Sequence, residues 1–123
     1  MKFNRFIIQH IFETKFKDAL NKKIAQDITR LDCEDLEVDF GEKSDIFELD
    51  YIDRIDVDNY EIEQDDDETL VSGEMEINAE INGFTYDHGE AFAAGSSLIT
   101  LGYLFSFTEN ENEVSNLYLE NIY

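Results

Sequence analysis

The chain contains no proline or tryptophan, one cysteine and only six glycines among its 123 residues. Without proline, and with so little glycine, no flexible linker divides the sequence, and its length suits one domain over residues 1–123. The single Cys33 excludes an intramolecular disulfide and a cysteine-based zinc site. These absences predict a single domain that folds without a disulfide scaffold in a reducing cytoplasm.

Basic residues are scarce beyond the N-terminal segment. Residues 1–31 carry seven Lys/Arg against three Asp/Glu, whereas residues 32–123 carry two (Lys43 and Arg54) against 27. The formal net charge of −21 therefore comes from residues 32–123. Such a density of carboxylates repels a phosphate backbone and an anionic lipid surface, so direct binding of nucleic acid or of a membrane is not expected.

Hydrophobic residues are nevertheless plentiful, at 42% of the chain, which predicts a folded core rather than an acidic disordered tail. In the N-terminal segment apolar residues recur every four positions, which is typical of an amphipathic helix. The stripe consists of Phe12, Phe16, Leu20, Ile24 and Ile28. We therefore predict one long helix over residues 3–31, with room for a break near residues 10–13.

From residue 34 the apolar period changes to two, which is typical of strands. At Asp58-Asn59 the apolar phase slips by one residue, which predicts a bulge or a tight turn. Asn82-Gly83 is the preferred pair for a two-residue hairpin turn. The sequence thus predicts an α+β domain, in which the long helix packs on a five- or six-stranded antiparallel meander over residues 34–123. One sheet face would cover the helix, and the other would display carboxylates.

Signals for catalysis or metal binding are weak. The segment around Asp56 and Asp58 lacks the third ligand and the glycine of a calcium loop. His88 and Ser96 occur without a glycine-flanked nucleophile turn. We therefore expect no enzyme activity, no cofactor and no dedicated metal site.

The dense, alternating carboxylates are the main functional signal. Same-face neighbours on a strand lie ~6.7 Å apart, and adjacent strands ~4.8 Å apart, so the acids would form an array of negative charge. The candidate partner-binding acids are Glu37, Asp39, Glu48, Asp50, Asp56, Asp58, Glu61, Glu63, Asp65, Asp66, Asp67, Glu74 and Glu76. Tyr51 and Tyr60 are candidate aromatic anchors within this array.

In charge, size and display of acids the chain resembles DNA-mimic inhibitors such as phage anti-restriction and anti-CRISPR proteins. That resemblance implies a basic partner, a nucleic-acid-binding enzyme or nuclease, whose binding surface the acidic face would occlude in the cytoplasm of a bacterial host. Three alternatives stay open: an immunity protein or antitoxin that neutralises a nuclease toxin, a partner-binding module, and a protein whose charge serves solubility alone. The chain would act as a monomer or as a homodimer.

Overall fold

The described residues form two helices followed by a four-stranded antiparallel sheet. The structure is a computed structural model, and it describes residues 2–29 and 46–123. The helices are α1 (Arg5–Glu13) and α2 (Lys17–Ile28), and the strands are β1 (Ile46–Asp65), β2 (Glu68–Asp87), β3 (Glu90–Asn110) and β4 (Glu113–Asn121). The strands follow the order β1-β2-β3-β4, each paired with the next along the chain. This is an α+β meander, but the predicted single long helix and five- or six-stranded sheet are wrong.

The long helix is interrupted at Thr14. The side chain of Asn4 accepts a hydrogen bond from the Ile7 amide and begins α1. At the other end the Thr14 hydroxyl donates to the His10 carbonyl at 2.7 Å, and the Phe16 amide donates to the Ile11 carbonyl. A β-branched residue whose hydroxyl takes up a backbone carbonyl is a poor helix-interior residue. The interruption therefore falls just after the segment where a break was considered.

The predicted hairpin at Asn82-Gly83 is also wrong, because β2 passes straight through it. Asn82 pairs with Glu48 on β1 and with Ser96 on β3. Two flanking strands thus outweigh the local turn preference of this dipeptide. The turn lies at His88-Gly89 instead, where both residues have positive φ, as a tight hairpin turn requires. Merging the predicted strands on either side of residue 82 removes one strand from the predicted count, and residues 34–45 of the predicted sheet lie outside the described residues.

The core lies between the helices and one face of the sheet. The predicted stripe is confirmed, since all five of its residues are buried. The ring of Phe12 lies 5.1 Å from that of Phe105 and 6.0 Å from that of Phe107, both in edge-to-face geometry. Phe3 and Phe16 also pack on Phe107. This aromatic cluster holds both helices to β3 and leaves the opposite sheet face uncovered by α1 and α2.

Strand β1 is longer than the stretch of β2 that it pairs with. Its register shifts three times, and the extra residues are Asp50, Asp53 and Asp58. The predicted phase slip at Asp58-Asn59 is therefore confirmed as a bulge. Here β1 approaches Gly73 so closely that a Cβ on this glycine would lie 2.1 Å from the Asn59 carbonyl oxygen. Glycine is thus required at residue 73 for β2 to pair with the bulged strand.

Candidate acidic interface

The register brings six of the thirteen candidate acids together on the outer sheet face, opposite the helices. Residues paired across antiparallel strands share a face, and the odd residues of β2 from Val71 to Ile81, apart from Gly73, are buried against the core. The even residues of β2 and their partners on β1 therefore point outward. Apart from the closing pair Asp65–Glu68 at the turn, the outward carboxylates of this hairpin, termed the acidic ribbon below, are Glu48, Asp56, Glu61, Glu63, Glu74, Glu76 and Glu80.

The other candidate acids lie around this ribbon rather than in its rows. Asp50 and Asp58 are bulge residues and have no ladder partner on β2. Asp65 ends β1, and Asp66 and Asp67 form the turn into β2, with Asp66 at a φ of 52°. Glu37 and Asp39 lie outside the described residues. Glu80 was not among the candidate acids, but on β2 it points to the same outer face as Glu74 and Glu76.

The negative charge does not extend across the whole sheet. Residues 91–108, which include most of β3, contain no charged side chain. The outward residues of β3 are small or apolar, such as Leu98, Thr100 and Leu104, and β4 contributes Glu120 opposite Leu104. The expected two-dimensional array of carboxylates is therefore narrower than predicted. It is a two-stranded ribbon along one side of the sheet.

Asp56 and Glu76 stand directly opposite each other in the ribbon. Like charges in such a pair destabilise a sheet. Each carboxylate has a donor of its own: the Arg54 guanidinium lies 3.0 Å from Asp56, and the Tyr123 hydroxyl donates to Glu76 at 2.6 Å. Arg54 is the only basic residue among residues 46–123. The two donors offset repulsion at the centre of the ribbon and leave the charges at its two ends unpaired within the described chain.

Tyr123 is the contact that the sequence pattern did not indicate. Its backbone continues the pairing of β4, because Gly102 exchanges two hydrogen bonds of 2.9 Å with Ile122 and Tyr123. Its ring covers Gly102, where an added Cβ would lie 2.2 Å from the nearest ring carbon. The hydrogen bond to Glu76, together with burial and the nearby carboxylates, raises the pKa of Tyr123 to about 12. Only a glycine on a neighbouring strand makes room for this ring.

The pKa of Asp58 shows the effect of the neighbouring carboxylates of the ribbon. Partial burial raises the pKa of its carboxyl group, and Glu76, Asp56 and Glu74 raise it further, while Arg5 opposes them. Arg5 also reaches the Asp58 carbonyl oxygen at 3.5 Å, so the end of α1 supplies the nearest positive charge. The basic helices thus partly compensate the acidic strand beside them.

The two candidate anchors lie on opposite faces. Tyr51 pairs with Glu80, is 51% exposed and lies among the acids. The carboxylate of Glu80 raises the pKa of the Tyr51 hydroxyl, with smaller contributions from burial, Asp53 and Asp50. Tyr60 pairs with Gly73 on the inner face and packs against the core. Tyr51 alone is therefore placed to meet a partner that binds the ribbon.

A groove of about 980 Å³ lies between α2 and the first half of β1. Phe12, Phe47 and Ile55 contribute its apolar floor, and Lys22 and Asp53 are among the charged residues around it. Both signs of charge occur on each side of the groove, with Glu13 and Lys22 on the helices and Asp53 and Arg54 on β1, so the rim has no single sign of charge. No ligand class is favoured by this mixture.

Within residues 2–29 and 46–123, no three metal-ligating side chains come together as a metal site would require. Neither α1 nor α2, the helices of that part of the chain, is long and apolar enough to cross a membrane. The chain matches no protein-family model, and no curated protein or solved structure is significantly similar to it. The acidic ribbon is therefore the feature of the molecule from which a function can be inferred.

Proposed function

We propose that the protein is an inhibitor whose acidic ribbon occludes the basic nucleic-acid-binding surface of a partner protein. The main observation behind this proposal is that the seven carboxylates of the acidic ribbon share one face of the β1–β2 hairpin with a single arginine. A predominantly negative face, held on paired strands, complements a groove lined by Lys and Arg. It also accelerates association with such a groove through electrostatic steering.

The shape of the ribbon favours a role as a mimic of nucleic acid over a general role in solubility. A solubilising charge would be spread over the surface, whereas here residues 91–108 of β3 carry no charge and many of the acids follow β1 and β2. Successive same-face residues lie ~6.7 Å apart along a strand, so the pairs Glu61/Glu63 and Glu74/Glu76 place negative charges at that spacing within the ribbon. Tyr51 adds an exposed ring beside Glu80, where it can stack on a partner side chain.

The first step of the test is to identify a partner by capture from bacterial lysate at low salt. The decisive step uses that purified partner and labelled duplex DNA, with the protein added as competitor. We expect the protein to displace the DNA, and excess DNA to displace the protein. A nuclease that the protein inhibits without any competition by DNA would favour the immunity-protein alternative instead.

Charge reversal then tests the ribbon itself. The side chains of Glu48, Glu61 and Glu63 are exposed and make no hydrogen bond or ion pair with the described residues, although their backbones pair with β2. Changing all three to Lys should weaken inhibition by about 100-fold or more, because each reversal replaces an attraction by a repulsion. The matched control reverses three exposed acids elsewhere, Glu13, Glu111 and Glu113, with the same change in net charge.

The control set should weaken inhibition far less than the ribbon set. Equal losses in the two sets would mean that net charge matters and that the ribbon has no specific role. Full inhibition by the ribbon variant, with its fold intact by circular dichroism, would refute the proposal.

A further inference from the structure

The outer face of β3 carries apolar and aromatic groups beside the acidic ribbon. Leu98 is 52% exposed, and Leu104 is half-buried. Between them lies Gly102, which is covered by the ring of Tyr123, itself 56% exposed. These three side chains, Leu98, Tyr123 and Leu104, are termed the apolar strip. Because α1 and α2 pack on the opposite face of the sheet, neither helix covers this strip.

Each member of the apolar strip lies beside one carboxylate of the acidic ribbon. Residues paired across antiparallel strands share a face, with their Cβ atoms ~5 Å apart. The pairs across β2 and β3 are Glu80 with Leu98, Glu74 with Leu104, and Glu76 with Gly102, which the Tyr123 ring covers. Three rows, each with one carboxylate and one apolar group, therefore cross from β2 to β3.

Two of these three carboxylates have no counter-charge within the described chain. Glu76 accepts its hydrogen bond from Tyr123, whereas Glu74 and Glu80 form no hydrogen bond or ion pair with the described residues. The one basic residue of the sheet, Arg54, is paired with Asp56. A cation that approaches either row from outside thus meets a free carboxylate with a leucine beside it.

Lysine and arginine side chains fit such a row. Each carries its charge at the end of an aliphatic stem, which can cover apolar surface while the charged head stays in a polar environment. The flexible four-carbon stem of lysine is long enough to span the ~5 Å between paired residues. A stem that lies on Leu98 therefore brings its ammonium group to Glu80. A compact cation has no stem and gains nothing from the leucine.

We propose that the apolar strip receives the aliphatic stems of Lys and Arg side chains from a basic protein surface, while their charged heads lie on the adjacent ribbon carboxylates. Charge complementarity selects this occupant. Leu104 lies between Glu74 on β2 and Glu120 on β4, so a partner without cations would bury carboxylates at a high cost. The inference rests on the proposed function, because it names the groups by which the inhibited partner is held.

Binding of a short oligolysine peptide tests the strip independently of the partner. The double variant Leu98→Thr, Leu104→Thr keeps the net charge and uses a residue that strands favour, but it removes apolar surface. At physiological salt, calorimetry should show about threefold or more weaker binding of the peptide, because the stem contacts are lost. Hexaamminecobalt(III), a compact cation without a stem, should bind the variant and the unchanged protein equally.

The control variant is Phe6→Ala, which removes an exposed apolar side chain from α1, on the other side of the sheet. It should bind the peptide as tightly as the unchanged protein does. An equal loss in this control would overturn the proposal, and so would full affinity in the strip variant. A strip variant that loses the cobalt complex to the same extent would show that altered carboxylates account for the effect, which also overturns it.

Nuclear Overhauser effects in the unchanged protein give a readout that needs no variant. The methylene protons of the peptide should show intermolecular effects to the methyl groups of Leu98 and Leu104. A bound peptide without these contacts would place the cations on carboxylates alone and refute the strip. The inhibitor role would survive that result, since charge alone can occlude a basic groove, whereas full inhibition by the charge-reversed ribbon would refute the inhibitor role and leave the peptide contacts in place.

Discussion

The link between Tyr103 and Asp27 offers the sharpest test of how the helices are held to the sheet. Tyr103 is fully buried on β3, and its hydroxyl donates to the Asp27 carboxylate on α2 at 2.7 Å. Lys23 lies 3.3 Å from the other oxygen of that carboxylate. Burial, and then the hydrogen bond to Asp27, raise the pKa of Tyr103 far above its usual range.

The change Tyr103→Phe keeps the ring and removes the hydroxyl. Asp27, whose side chain is only 9% exposed, then retains Lys23 as its one described charged partner. A hydrogen bond to a charged group contributes about 1.5–3 kcal/mol, so we expect a loss near 2 kcal/mol in the free energy of unfolding. With a urea m-value of ~2 kcal/mol/M, the unfolding midpoint should fall by about 1 M.

A double-mutant cycle isolates this pair. Each single change leaves one buried polar group, the Tyr103 hydroxyl or the Asp27 carboxylate, without the hydrogen bond between them. The double variant Tyr103→Phe, Asp27→Leu removes both groups, so its loss of unfolding free energy should be smaller than the sum of the two single losses. The assay is urea unfolding followed by far-ultraviolet circular dichroism. A loss below about 0.5 kcal/mol for Tyr103→Phe, or strict additivity in the cycle, would refute the reasoning.

Three further predictions concern the strands. Gly73→Ala should destabilise the fold by about 2 kcal/mol or more, since the new Cβ meets backbone, whereas Gly102→Ala meets only the movable Tyr123 ring and should cost less in urea unfolding. Glu76→Gln should lower the pKa of Tyr123 from about 12 towards 10, which an NMR titration of the tyrosine ring can check. In the unchanged protein, the contribution of Tyr123 to stability is complete below pH 10 and is lost as the pH rises towards 12. The raised pKa of Asp58 means that the folded state binds its proton more tightly, so this group should make the protein more stable as pH falls through the raised value towards 3.8. Thermal unfolding of the Asp58→Asn variant should show a weaker pH dependence in that range.

The positions buried by the helices could be predicted from the sequence because burial imposes a period that the residues themselves carry. Phe12 and Ile24 belong to a stripe that only a helix can place on one side, and both are fully buried. The turns at residues 66–67 and 111–112 have the same local cause, as polar residues interrupt the alternation there. Asn82-Gly83 failed because its turn preference competes with pairing to two distant strands, which no local pattern reveals.

The candidate interface shows a second limit of pattern reading. Simple alternation groups Tyr51 with Phe47 and Leu49 on the inner face, yet the extra residue Asp50 reverses the phase and turns Tyr51 outward. Counting by twos assumes an unbroken ladder, so each bulge reassigns every residue beyond it. The sequence predicted that acids share a sheet face, but the narrow width of the ribbon depends on the strand register. The position of Tyr123 depends on the space that Gly102 leaves for its ring.

The three aspartate bulges of β1 have a consequence for aggregation. Strand edges are where sheets grow, because an unpaired row of amides and carbonyls is a template for another chain, as in fibrils. The edge of β1 is interrupted by three bulges, and the Val57 amide there donates to the side chain of Gln9. On the other side of the sheet, β3 is interrupted beyond β4 by the extra residue Ala94. Bulges on both outer sides of the sheet disfavour the addition of further strands, although the strands themselves are long.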